Sequence, residues 1–175
     1  MQLRLFLIRG LVAIVWAAVF LTASDSLTTG VGVLLVLYPL IDVVASIIDA
    51  REEQGSERQL LELNAGVSVA AAVALGIAAT GDKGDVLAVF GVWALVTGGV
   101  QVVVAIRRRT VLGRQWPLLI SGVGSTLWGV GFLINASAGN PKLRMVAIYA
   151  VGGGVEFLIQ AWLLARRQRQ VPVAT

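Results

Sequence analysis

Residues 86–109, VLAVFGVWALVTGGVQVVVAIRRR, contain 21 successive residues without a charge (86–106) and then Arg107, Arg108 and Arg109. As an α-helix rising 1.5 Å per residue, that run is about 32 Å long, close to the thickness of a bilayer's hydrocarbon core. The run predicts a transmembrane helix with its basic end held at one membrane surface. The rest of the chain repeats the plan. Apolar segments are predicted at roughly 5–23, 28–48, 60–80, 86–106, 116–137 and 145–165. The expected fold is all-α: one polytopic transmembrane domain, 1–175, of six helices.

Composition supports a lipid environment. Hydrophobic residues make up 57% of the chain and charged residues only 14%, whereas a soluble domain carries about a quarter charged residues. The apolar surplus is expected to face lipid. The net charge of +4 does not imply nucleic acid, because the arginines cluster at the ends of apolar runs, where phospholipid headgroups lie. There is no cysteine and no histidine. Disulfides, thiol chemistry, haem, zinc fingers and histidine-based catalysis are therefore excluded, and no metal or cofactor is expected.

The first segment contains Arg9. An arginine near a helix end can snorkel to the headgroups, which shifts the depth of the helix without preventing insertion. The rival reading is a signal peptide cleaved near Thr22-Ala23-Ser24. An internal repeat argues for a retained helix. Gly10, Gly66 and Gly122 are spaced by 56 residues, and six residues after them stand Trp16, Ala72 and Trp128. The second helix of each pair carries Tyr38, Trp93 or Tyr149. Three tandem two-helix hairpins are predicted, at about 5–58, 59–114 and 115–169. Each hairpin returns the chain to the same side, so the natural arrangement is pseudo-threefold about the membrane normal.

Loop charges set the expected orientation. With the N-terminus inside, Arg4, Arg9, Arg51, Arg58, Arg107, Arg108, Arg109, Arg114, Arg166, Arg167 and Arg169 lie on the cytoplasmic side. Only Lys83, Lys142 and Arg144 lie outside. This bias predicts cytoplasmic N- and C-termini. The stretch 49–62 is the longest polar connection and the expected contact point for a cytoplasmic protein partner. The outer loops 24–29, 81–85 and 138–144 are too short for a folded domain, and the tail 168–175 is short.

Small residues recur in the odd helices, most densely at Ser121, Gly122, Gly124, Ser125, Gly129 and Gly131; Gly98-Gly99 and Gly152-Gly153-Gly154 add to them. Such spacing lets helix backbones approach closely in lipid. It serves packing within one chain or a homo-oligomer interface. Trp116 suits the membrane interface, and Trp16, Trp93, Trp128 and Trp162 suit packing.

Two carboxyl groups interrupt the apolar runs: Glu156 near the middle of the sixth helix and Asp42 in the second. A central charge costs about 2.5–3.5 kcal/mol on insertion scales, so such groups face the interior. Tyr38, Asp42 and Ser46 share one helix face; so do Trp93, Thr97 and Gln101, and so do Tyr149, Gly153, Glu156 and Gln160. Under threefold packing these stripes converge. The candidate intramembrane polar site is therefore Glu156, Asp42, Gln101, Gln160, Tyr38 and Tyr149. It has two readings: a proton-responsive or polar-solute site, or a structural clasp bonded to the next helix. No basic residue stands at the same depth as an evident partner. No nucleophile–base pair, phosphate-binding loop or dinucleotide fingerprint is present, so no enzymatic activity is expected.

The three hairpins, Arg9-Gly10 opening the first, and the run FGVWALVTGGVQVVVAIRRR resemble the HdeD-like family of bacterial membrane proteins. Trp93, Gly98, Gln101 and Arg107 stand in the order that family shows. The resemblance implies a six-helix inner-membrane protein with a role in acid or other stress, and it supplies no mechanism. The expected function is a structural or stress-protective one that acts by binding other membrane components. The residues themselves also allow a small conduit or carrier for protons or a polar solute.

The absence of native cysteine makes the orientation directly measurable. A membrane-impermeant maleimide is expected to label Gly139→Cys in spheroplasts, and to label Ser56→Cys only after lysis. The reverse pattern would invert the topology.

Overall fold

The computed structural model describes residues 2–112 and 116–170. It comprises six α-helices: α1 (Gln2–Ala23), α2 (Thr29–Glu52), α3 (Gly55–Ala78), α4 (Lys83–Leu112), α5 (Trp116–Ala136) and α6 (Arg144–Gln170). All six are long and apolar enough to cross a membrane, and no strand occurs among the described residues. Arg114 and the end of the expected tail, 171–175, lie outside the described residues.

The outward faces are apolar: Ile77, Leu127 and Ile134 are 69%, 67% and 70% exposed. A surface of this kind is stable only where lipid replaces water. Turn chemistry bounds the helices. Thr28 Oγ1 accepts from Val31 N at 3.3 Å and caps α2. Asp82 and Asp85 exchange backbone bonds at the start of α4, where Asp85 N donates to Asp82 Oδ1 at 3.0 Å.

The polar stretch 49–62 is not the loop expected from its composition. α2 continues to Glu52 and α3 begins at Gly55, which leaves a tight connection turned at Gly55 with φ of 61°. The charges extend the helix ends into the polar layer: Arg58 pairs with Glu62 one turn on, at 2.7 Å, and Asp49 pairs with Arg9 across helices.

The closest helix pairs are not those within the expected hairpins. α2 packs along α3, α4 along α5, and α6 returns to pack along α1. Within the hairpins, α3 meets α4 over a moderate length, while α1–α2 and α5–α6 touch only briefly. Glycine placement explains the preference. A Cβ on Gly98 would lie 2.7 Å from the Gly122 carbonyl, and one on Gly122 would lie 2.8 Å from the Gly98 carbonyl. Gly91 and Gly129 repeat this contact farther along α4–α5, and Gly10 and Gly154 form its counterpart between α1 and α6. Other small residues do not serve as contacts: Gly66, Gly99, Gly124 and Gly131 have nothing near the position a Cβ would take.

Aromatic rings fill the core toward the N-terminal ends of the even helices. Phe20, Phe90 and Phe132 are completely buried. Phe90, Tyr38 and Tyr149 share the centre of this cluster, with the Phe90 ring centroid 5.1 Å from Trp93, 5.2 Å from Phe132 and 5.8 Å from both tyrosines. Trp162 departs from its expected packing role: it is 52% exposed, and the Arg166 guanidinium lies 4.0 Å over its ring. That places it, like Trp116, in the interfacial class.

Gly122→Ala is expected to destabilise the fold by about 1–3 kcal/mol, because the added methyl meets backbone and cannot be relieved by a rotamer change. Gly131→Ala, with open space at its Cβ, is expected to be neutral or mildly stabilising. Reversible unfolding in mixed micelles measures both; equal effects would show that the close contact does not govern stability.

Candidate functional site

Beyond the aromatic layer the core opens. A cavity of about 390 Å³ lies among α1, α2, α4, α5 and α6. Its wall carries Tyr38 and Asp42 from α2, Trp93, Thr97 and Gln101 from α4, and Tyr149 and Glu156 from α6. The three polar stripes therefore converge on one space. Of the six residues singled out from sequence, Gln160 alone stands off the wall, where its Nε2 donates to Glu156 Oε1 at 2.9 Å.

Asp42 is held from the neighbouring helix. Its Oδ2 accepts from Ser68 Oγ at 2.7 Å and from Asn64 Nδ2 at 2.9 Å, both on α3. Trp93 Nε1 donates to Ser68 Oγ at 2.9 Å, and Asn64 Nδ2 also donates to Ser46 Oγ at 2.9 Å. The chain Trp93–Ser68–Asp42–Asn64–Ser46 thus joins α4, α3 and α2. This is the clasp geometry, yet Asp42 also lines the cavity.

The 56-residue spacing shows why α2 and α3 meet through polar groups. Asp42, Gly98 and Gly154 are spaced by 56, as are Gly66, Gly122 and Gly10. Gly98 touches Gly122 and Gly154 touches Gly10. In the remaining pair Asp42 takes the place of a glycine. Its carboxylate reaches Asn64 and Ser68, on either side of Gly66 in the chain, and Gly66 itself makes no close contact at its Cβ position.

Glu156 is half-buried and accepts from Gln160 Nε2, and Ser121 of α5 lines the cavity with it. Tyr149 shares a hydrogen bond with Ser125 Oγ at 3.2 Å. Tyr38 stacks at a tilt on Trp16, with centroids 4.5 Å apart. Gln101 lines the cavity with its Oε1 buried and without a hydrogen-bond partner.

Arg9 corrects one expectation. Its side chain is only 14% exposed and Nη1 pairs with Asp49 at 2.9 Å. It lines the cavity with Asp42 and Glu156, so a base does stand near the carboxyls. Burial turns it inward because Asp49 supplies a counter-charge and the ring of Phe157 lies 5.6 Å from its guanidinium carbon.

Arg9, Asn64, Ser68 and Ser121 are thus site residues that the polar stripes of the even helices did not include. Asn64 and Ser68 carried a usable signal: they are four residues apart and flank Gly66. Arg9 carried none, since Asp49 is forty positions away in the chain. The assembled groups can hold a proton or accept hydrogen bonds from a polar guest. Among the described residues, no three acidic side chains gather as metal ligands. No family model matches the chain, and neither a curated protein nor a solved structure does.

Replacing Asp42 by Leu leaves the Asn64 and Ser68 donors without their acceptor. A double-mutant cycle of Asp42→Leu with Asn64→Leu is expected to give a coupling of about 0.6–1.7 kcal/mol, the range of interhelical hydrogen bonds in lipid. Additive losses would remove the clasp.

Proposed function

We infer that this protein binds and moves a proton or a small polar solute at an intramembrane site centred on Asp42 and Glu156. The observation that carries the reading is the cavity: one space that gathers the polar residues of α2, α4 and α6 within an otherwise apolar bundle. Polar groups at such depth are costly, and where they line a space they mark solute and proton paths. Tyr38, Trp93 and Tyr149 belong both to the cavity wall and to the aromatic cluster around Phe90, so the protein works as a carrier or gated site whose passage requires those rings to move.

On this reading the six helices form three tandem repeats about a common axis, supported by the recurring Gly10–Gly154 and Gly98–Gly122 contacts. The protein sits in a bacterial inner membrane with both termini cytoplasmic, supported by the distribution of arginine, and carries no enzymatic activity. An acid- or general-stress role is part of this proposal, and it rests on the resemblance of the sequence to HdeD-like proteins alone.

A structural or protective role is the second reading, in which the protein binds other membrane components or copies of itself. It is favoured by the close-packed glycine contacts and by carboxyls already bonded within the chain.

Proteoliposomes under an imposed pH gradient separate the two. Proton flux is expected in the parent and is expected to fall in Glu156→Gln or Asp42→Asn with folding intact. Flux no greater than that of empty liposomes would overturn proton movement and leave the structural reading ahead.

A further inference from the structure

The cavity has a side opening as well as a polar wall. Ile120 of α5 and Val155 and Ile159 of α6 line it, and these residues are 65%, 44% and 49% exposed on the apolar surface. They stand where α5 and α6 barely touch. The mouth therefore faces the hydrocarbon layer, and a guest that enters there must itself partition into lipid.

The interior selects by charge. Among the described residues on the wall, Arg9 is the only base, and Asp49 balances it at 2.9 Å. Asp42 is bonded to Asn64 and Ser68 and lies within electrostatic reach of Arg9, whereas Glu156 is bonded to the neutral Gln160 and has no cation of its own among the described residues. Gln101 adds a buried acceptor without a donor. Arg9 Nη2 is a buried donor left over, but on a guanidinium whose charge is already met. The remaining surface is aromatic: Tyr38, Trp93, Trp128 and Tyr149, whose π faces attract cations in a water-poor site.

We propose that the cavity is a binding site for a lipophilic ammonium ion that enters from the membrane between α5 and α6, with its N–H groups on Glu156 and Gln101 and its apolar body against the aromatic wall. This deepens the proposed function and rests on it, by naming the solute class. The volume, about 390 Å³, lies within the usual range of small-molecule sites.

The test uses the purified full chain in phosphatidylcholine nanodiscs and three probes with one body: 3-phenylpropylammonium, 3-phenylpropanol and 3-phenylpropanoate. Binding is read by calorimetry and tryptophan fluorescence against empty nanodiscs. The ammonium is expected to bind about tenfold more tightly than the alcohol, the effect of one well-placed charge contact of about 1.4 kcal/mol, and the carboxylate is expected to bind weakest. Glu156→Gln is expected to remove most of the ammonium's advantage and leave the alcohol's affinity in place. The comparison within the parent protein needs no variant, so a folding defect in Glu156→Gln cannot hide the answer. Equal affinity for ammonium and alcohol, preference for the carboxylate, or binding of none of the three would overturn the proposal. Proton flux without ammonium preference would overturn the solute class alone, whereas absence of both flux and binding would overturn the site reading as well.

Discussion

Hydrocarbon offers a helix neither a hydrogen-bond partner nor a hydrophobic reason to leave it. Helices in lipid associate through close van der Waals contact and a few interhelical hydrogen bonds. In this protein the contacts that satisfy that constraint are backbone on backbone, at Gly98–Gly122, Gly91–Gly129 and Gly10–Gly154. They set which helices pair, and so α6 closes on α1 and the loosely joined pairs fall elsewhere. The gap between α5 and α6, where the cavity reaches the surface, follows from where the close contacts lie.

The pair α2–α3 meets the same constraint differently. Where its counterparts have glycine it has Asp42, and a carboxyl at that depth must be bonded. Asn64 and Ser68 supply the bonds, and Trp93 extends the network to a third helix. One residue change along the repeat thus exchanges a dry contact for a polar one and brings a carboxyl to the cavity wall. The structural clasp and the polar site are not alternatives at Asp42, since the same side chain takes part in both.

Much of this was legible along the chain. Long apolar runs marked six helices, and four-residue spacing put Tyr38 with Asp42, and Trp93 with Thr97 and Gln101, on common faces. Those faces do meet. The stretch 49–62 misled because polar composition was read as loop, whereas Arg58–Glu62 and Arg9–Asp49 pairing lets charged residues continue helices beyond the apolar layer. Arg9 was missed as a site residue because its partner Asp49 is forty positions away, and local sequence does not show that pairing.

The sequence alone determined the solvent and the secondary structure. Hydrocarbon thickness and unmet backbone groups leave a chain with six such apolar runs little other than membrane-length helices. It also determined the inward faces of the even helices, since uncompensated polar groups do not face lipid. Only the tertiary structure decided which glycines touch, which helix receives Asp42, that Arg9 turns to Asp49, and that the polar faces surround a space instead of closing on one another. Those outcomes depend on distances between residues far apart in the chain, and local periodicity carries no information about such distances.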